Sequence, residues 1–203
     1  MEAGLARLAA TIRACRICRD APLGRPLPHE PRPVLTPSST ARILIAGQAP
    51  GTRVHGSGLS FTDPSGDRLR GWLGVSEEQF YNPDHFAIAA MGFCFPGLDA
   101  KGGDLPPRRE CAPLWHDRLT ASLPQVEMTL LVGMHAQRPY LALPSSASLS
   151  ATVLRWRDTF PQYVALPHPS WRNSGWLKRN PWFENEVLPP LRLRIREILT
   201  SAL

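Results

Sequence analysis

With 203 residues, the chain is long enough for one compact domain with a sizeable core and short for two, so we expect a single active site. Its hydrophobic fraction of 43% is typical of a globular protein in water, and no window approaches the run of about 18 apolar residues that a membrane-spanning helix needs. The net charge of +6 favours a polyanionic partner, although many basic proteins bind nothing anionic.

The first part of the chain is predicted to be a helix followed by an extended connection. From Met1 to Arg13, charged residues are spread among alanines and leucines, which is an amphipathic helix pattern and not the uninterrupted apolar segment of a signal peptide. Residues 22–40 are rich in proline and serine and lack periodicity. We therefore expect a cytoplasmic, monomeric protein, with one domain over residues 1–203 and an N-terminal helix within residues 1–21.

Four short apolar runs have the length of buried strands. They are Arg42–Ala46, Phe86–Met91, Met128–Val132 and Tyr163–Leu166. Segments with helical spacing lie between and after them, at Asp67–Leu73, Arg108–Leu123, Thr152–Thr159 and Trp182–Leu199. This alternation predicts an α/β fold, a three-layer sandwich in which a four-stranded, mainly parallel sheet carries helices on both faces. Ligands of such sheets bind outside the carboxyl ends of the strands, so the loops that follow the strands are the ones of interest.

Two of these loops carry candidate motifs. Gly47 to Gly51 follows the first strand and reads Gly-Gln-Ala-Pro-Gly, which by itself is typical of a tight turn. His168 to Asn173 follows the last strand and reads His-Pro-Ser-Trp-Arg-Asn, in which the histidine could simply be fixed by its neighbouring proline. In a parallel sheet, however, both loops face the same crevice, and this indicates a shared site.

Together, these two loops resemble the two signature motifs of the uracil-DNA glycosylase superfamily. The second loop is especially similar to that of the single-strand-selective monofunctional enzymes. A third stretch, Phe61 to Gly66, resembles the Phe-x-Gly-x-x-Gly loop of family 4 and, through Asp63, the family 5 version. The resemblance covers the chain from about Cys15 to Asn173. It implies a uracil-DNA glycosylase-like fold and an enzyme that hydrolyses the N-glycosidic bond of a damaged base in DNA.

The reaction explains why such residues are needed. Its transition state has an oxocarbenium-like sugar and a base that leaves as an anion, so the site must stabilise both charges and position a water molecule. The resemblance implies that His168 donates a hydrogen bond to the leaving base, that Gln48 contacts the base mainly through its backbone, and that Phe61 stacks on the extruded ring. The expected base-binding residues are Gly47, Gln48, Ala49, Phe61, Ala90 and His168.

The chain departs from the superfamily pattern at two alanines. Many members have Asp or Asn at the position of Ala49 to hold water, although families 4 and 5 also have alanine there. We expect Asp63 to supply the missing carboxylate, its alternative being a helix N-terminal residue that complements Arg68 and the helix dipole; His55 is a second candidate. At Ala90, families 4 and 5 have an asparagine that reads uracil, so hypoxanthine or another deaminated base remains a possible substrate.

Four cysteines are the candidate metal ligands. Cys15 and Cys18 precede the first strand, and Cys94 and Cys111 flank the loop after the second. Disulfides are not expected in a reducing compartment. The arrangement resembles the family 4 pattern, which implies a 4Fe-4S cluster; zinc and an empty site are the alternatives. We expect the site to be structural and to hold the N-terminal helix and the loop Gly97 to Arg109.

The last motif continues into a basic and aromatic segment. Residues 168–181 contain Arg172, Lys178 and Arg179 without an acidic residue, interleaved with Trp171 and Trp176. This pattern favours phosphate contacts and insertion of a side chain into the duplex, although tryptophans that cover the core would give it too. The expected DNA-contacting residues are Ser65, Ser170, Trp171, Arg172, Asn173 and Lys178.

The function favoured by these features is that of a monofunctional DNA glycosylase. No lysine lies inside the motifs to act as a nucleophile, and Lys178 alone is near enough for a lyase activity. One alternative is a lesion-binding DNA sensor with little catalysis, which Ala49 and Ala90 would fit. The other is a zinc-stabilised nucleic-acid-binding module without catalytic activity.

Overall fold

A four-stranded parallel sheet forms the centre of the computed structural model, which describes residues 2–201. The strands are β1 (Ile43–Gly47), β2 (Phe86–Ala90), β3 (Met128–Val132) and β4 (Tyr163–Leu166). They lie in the order β2-β1-β3-β4, with Gly47 paired to Ala90 and Ala46 to Leu131 at the carboxyl ends. All four predicted strands are confirmed, and the α/β fold with them.

Short helices connect and flank the strands. They are α1 (Glu2–Arg13), α2 (Ile17–Asp20), α3 (Thr52–Ser57), α4 (Pro64–Leu73), α5 (Glu77–Tyr81), α6 (Cys111–Thr120), α7 (Met134–Tyr140), α8 (Leu149–Leu154), α9 (Ser174–Arg179) and α10 (Leu188–Thr200). One-turn 3-10 helices occupy Trp156–Asp158 and Trp171–Asn173, and a π-helical turn occupies Phe183–Val187. Within residues 2–201, no helix has the length and apolarity needed to cross a membrane.

Several predicted helix boundaries were wrong. Helix α4 begins before the predicted Asp67 because Asp63 caps it and Pro64 occupies its first position. The helix predicted over Arg108–Leu123 is shorter at both ends, and the one over Thr152–Thr159 divides into α8 and a 3-10 turn. The helix predicted from Trp182 is a π-helical turn until α10 begins. Two prolines in the first turn of α10 cannot donate backbone hydrogen bonds, and this favours a new helical start there.

Hydrophobic cores cover both faces of the sheet. Alternate residues of β1 point in opposite directions, so Ile43 and Ile45 pack with α4 and α10 while Leu44 packs with α1 and α6. Every β1 residue is therefore buried. The sheet and the helices on its two faces form three layers. Because both faces are covered, a ligand can approach the sheet only at the ends of its strands.

The proline-rich connection lies along the outer edge of the sheet. Thr36 forms an antiparallel bridge with Ile88 of β2, and the Val34 N–H donates to Phe93 O at 2.7 Å. Further along, a side chain on Gly97 would lie 3.3 Å from the Pro28 ring. The connection is extended, as predicted, and it also satisfies part of the otherwise unpaired edge of β2.

Candidate active site

The three motifs meet in one pocket at the carboxyl end of the sheet. The pocket is lined by Gly47, Gln48, Ala49, Pro50, Gly51, Val54, Ser60, Phe61, Asp63, Ser65, Ile88, Ala90, Asp104 and His168. All six residues expected to bind the base are among them. The site lies where the parallel topology predicts it.

His168 is oriented as a hydrogen-bond donor. The backbone N–H of Ser170 donates to its Nδ1 at 3.2 Å, so the ring proton of the neutral imidazole is on Nε2. Asn173 Nδ2 donates to the His168 carbonyl at 2.7 Å and fixes the turn. Burial lowers the pKa of His168, and the nearby charge of Asp63 only partly opposes this effect. The ring is therefore neutral near pH 7 and presents one N–H.

Gln137, which the sequence analysis did not single out, holds the strand ends beneath this loop. Its fully buried amide nitrogen donates to Leu131 O at 3.2 Å and to Leu166 O at 2.8 Å, which ties β3 to β4. Gly133 has φ +84°, and a side chain there would lie 3.5 Å from His168 Cβ. Because the backbone at Gly133 passes this close to His168, the histidine has little freedom to move away from the pocket.

Phe61 forms one wall in a left-handed backbone conformation, with φ 60°. Such a φ is costly for a bulky residue and persists only where surrounding contacts enforce it. Arg70 Nη1 donates to Phe61 O at 3.3 Å, and the Phe61 ring packs edge-on against the buried Phe80 ring at 5.9 Å. The ring is thus held in the wall of the pocket and available for stacking.

Asp63 caps α4 and also lines the pocket. Its Oδ1 accepts from the Ser65 hydroxyl at 2.5 Å and from the Gly66 N–H at 3.3 Å. The helix N-terminal interpretation is therefore correct as geometry, but Arg68 is not its partner. Arg68 instead donates to Ser170 O at 3.0 Å and supports the His168 loop. Because Asp63 also lines the pocket, its carboxylate can contact a bound ligand as well.

Asp104 is a pocket residue that the sequence analysis missed. The residue lies exposed at the rim, and a side chain on Gly51 would be 3.4 Å from its Oδ2. Partial burial raises the pKa of its carboxyl group, whereas the charge of Arg172 lowers it. No motif signals this residue, because it is brought to the pocket by a hairpin far along the chain from Gly51.

Two further histidines, His55 and His116, do not line the pocket. The ring of His55, the second candidate for water activation, packs 4.3 Å from that of His29, centroid to centroid. His116 is buried on α6, and its Nε2 donates to Ala90 O at 2.8 Å. Its Nδ1 faces the Tyr140 hydroxyl at 3.4 Å, and burial lowers its pKa. A neutral His116 therefore fixes the end of β2 beneath the pocket.

The four cysteines are free thiols, three of them buried and Cys15 half-buried. Burial raises the pKa of Cys18 to about 11 and those of Cys94 and Cys111 to about 12, and the other cysteines contribute through their charges. The Phe93 N–H donates to Cys111 Sγ at 3.4 Å. Within the described part of the chain, no three His, Cys, Asp or Glu residues are spaced to hold a single metal ion.

The segment after His168 divides into an exposed and a packed part. Trp171 is 76% exposed, with the Arg172 guanidinium 5.8 Å from the centre of its ring. Lys178 is also exposed, at the end of α9. Trp176, in contrast, donates to Ser150 Oγ at 2.8 Å and packs against the core. Of the two tryptophans, Trp171 is the more exposed.

One comparison with known proteins bears on this site. The family model of the Uracil DNA glycosylase superfamily matches residues 33–192, which is most of the chain. The matched part contains every residue that lines the pocket, together with Cys94 and Cys111. Cys15 and Cys18 precede it.

Proposed function

This chain belongs to the uracil-DNA glycosylase superfamily, and we propose that it is a monofunctional DNA glycosylase that hydrolyses the N-glycosidic bond of a deaminated or damaged base. The observation that supports this most directly is the pocket itself. It combines a neutral His168 with its Nε2–H available, an aromatic wall at Phe61 and a carboxylate at Asp63. These three groups match the three needs of the reaction, namely base departure, base binding and sugar charge.

On the side of the base, Phe61 and His168 act together. An extruded base stacks on the Phe61 ring while the backbone around Gln48 contacts its edge. As the glycosidic bond breaks, negative charge develops on the base, and the His168 N–H stabilises it. A neutral donor suits this task because it needs no prior protonation near pH 7.

On the side of the sugar, Asp63 supplies negative charge. The Ser65 hydroxyl and the Gly66 N–H hold one of its oxygens, so the carboxylate has a fixed direction. A fixed anion stabilises the oxocarbenium-like sugar without the cost of reorganisation during the reaction. This assignment gives Asp63 a catalytic role in addition to its capping role.

The identity of the base depends on the wall formed by Ala49 and Ala90. Neither side chain can hydrogen-bond to a base edge, so this wall cannot select uracil through a side-chain amide. We infer that the enzyme accepts a deaminated base such as uracil or hypoxanthine and that selection rests on backbone groups and pocket shape.

DNA is contacted by the exposed loop after β4. Trp171 is large, apolar and exposed, which suits insertion into the duplex beside the flipped nucleotide, and Arg172 and Lys178 suit phosphate contacts. Ser65 and Asn173 already hydrogen-bond within the protein, so we assign them to support of the site, together with Ser170.

We further propose that the four cysteines hold a 4Fe-4S cluster. Their burial, the absence of disulfides among them and the N–H donor to Cys111 fit thiolate ligands that need a compensating positive group. When bound, the cluster would cross-link α1, α2, the loop after β2 and α6.

A panel of oligonucleotides tests the proposed function. Single- and double-stranded DNA containing uracil, hypoxanthine or xanthine is incubated with the protein, and abasic sites are revealed by alkali. We expect release of at least one base, with His168→Ala slower by about 10² to 10³ at unchanged DNA affinity. His85→Asn, a substitution before β2 at the opposite end of the sheet, should leave the rate unchanged. Tight binding to a lesion without release would favour the sensor suggested by Ala49 and Ala90.

A further inference from the structure

The pocket contains a second carboxylate that the mechanism above does not use. Asp104 lies in a hairpin closed by the Leu105 N–H donating to Gly97 O at 2.9 Å and the Asp99 N–H donating to Gly103 O at 2.7 Å. Asp99 Oδ1 also accepts from the N–H groups of Lys101 and Gly103, both at 2.8 Å, which stiffens the turn. Asp104 is therefore held at the rim by a defined backbone and not by a loose loop.

The two carboxylates of the pocket differ in their hydrogen bonding. Asp63 Oδ1 accepts from the Ser65 hydroxyl and the Gly66 N–H, which hold this oxygen in place. Within residues 2–201, no hydrogen bond is made to the Asp104 side chain. Partial burial raises the pKa of its carboxyl group. The Asp104 oxygens are therefore available to accept a proton from water, whereas Asp63 Oδ1 is occupied by two donors.

We propose that Asp104 is the general base of this reaction, acting on water at the rim of the pocket, while Asp63 is the fixed anion beside the sugar. This inference rests on the proposed glycosylase function. The C1′–N bond breaks and its electron pair leaves with the base. The oxygen of water forms the new bond to C1′, and its proton passes to Asp104. The departing base, held by His168, takes a proton from solvent, and Asp104 returns its own to solvent.

The rim position suits this role. Asp104 is exposed at the rim, where water can reach its carboxylate. Its Oδ2 lies 3.4 Å from where a side chain on Gly51 would begin, so the glycine leaves this oxygen uncovered. Partial burial raises the pKa of Asp104, the charge of Arg172 lowers it, and those of Asp63 and Asp99 raise it. His168 is the other titratable group that lines the pocket. Asp104 should therefore accept a proton at higher pH than an ordinary aspartate and lose activity as the pH falls.

Matched aspartate substitutions test the proposal. Asp104→Asn, Asp63→Asn and the control Asp158→Asn, which removes an exposed carboxylate paired with Arg155, each delete one negative charge. Single-turnover excision of the best base is measured with saturating DNA from pH 4 to pH 9, and DNA affinity is measured separately. Asp104→Ala is also assayed with added formate, which can replace a missing carboxylate.

We expect Asp104→Asn to be slower by about 10² or more, the usual scale for a positioned base. Its rate should lack the fall at acidic pH that wild type and Asp63→Asn show, and formate should partly restore Asp104→Ala. A wild-type rate in Asp104→Asn, or a loss of DNA affinity alone, overturns the proposal and leaves Asp104 as a charge near Arg172. A wild-type protein that releases no base at all overturns the glycosylase function itself, which separates the two failures.

Discussion

Gly66 and Phe61 approach so closely that a side chain on Gly66 would lie 1.8 Å from Phe61 O. Gly66 sits in the first turn of α4, next to the hydrogen bonds that cap the helix, and Phe61 has its left-handed backbone directly before that turn. The absence of a side chain at residue 66 thus allows the aromatic wall of the pocket to form. The start of α4 and the aromatic wall of the pocket depend on one another here.

Gly66→Ala should therefore displace Phe61 and lower both stability and excision. We expect the overpacking to cost about 1–3 kcal/mol in the free energy of unfolding. Gly71→Ala is the matched control on the same helix, because a side chain at Gly71 meets no atom within 4 Å. The control should be neutral or more stable by about 0.5–1 kcal/mol. Urea unfolding and single-turnover rates on both variants check this, and a fully active, stable Gly66→Ala would contradict it.

Asp63→Asn separates capping from catalysis. Asparagine caps a helix about as well as aspartate, so thermal stability should hardly change. If the negative charge stabilises the sugar, excision should slow by about 10² or more while DNA affinity is kept. Asp63→Ala loses the cap as well and should cost about 1 kcal/mol in stability. Near wild-type excision by Asp63→Asn would restrict Asp63 to its structural role.

Stability should decrease when the pH falls below about 6.5, the ordinary pKa of histidine. Burial lowers the pKa values of His116 and His168 in the folded state, so between these lowered values and 6.5 the unfolded chain binds more protons than the folded one. Each such group contributes at most about 1.4 kcal/mol per pH unit. Urea unfolding at pH 7.5 and 5.5 measures the loss, which should be smaller in His116→Gln. An equal loss in that variant would exclude His116 as a source.

Anaerobically purified protein should be brown, with broad absorption near 400 nm from sulfur-to-iron charge transfer. Serine in place of Cys15, Cys18, Cys94 or Cys111 should remove the colour and loosen the N-terminal segment, which limited proteolysis would report. His85→Asn should keep the colour. Colourless protein with stoichiometric zinc would contradict the cluster.

The sequence by itself determined the strands and the order of the motifs. Buried parallel strands appear as short apolar runs whatever surrounds them, and a motif such as His168-Pro169-Ser170 carries its own turn geometry. The predicted pocket residues therefore converge as the parallel topology requires. The superfamily follows from the same local signals.

Only the tertiary structure decided which side chains support and complete the site. Asp104 reaches the pocket through a hairpin, His116 fixes Ala90 from another layer, and Gln137 bridges two strands, all through contacts between residues distant along the chain. Trp176 packs against the core, whereas Trp171 in the same basic and aromatic segment is exposed. Burial and hydrogen bonding depend on what the fold brings opposite a residue, and a local pattern does not contain that information.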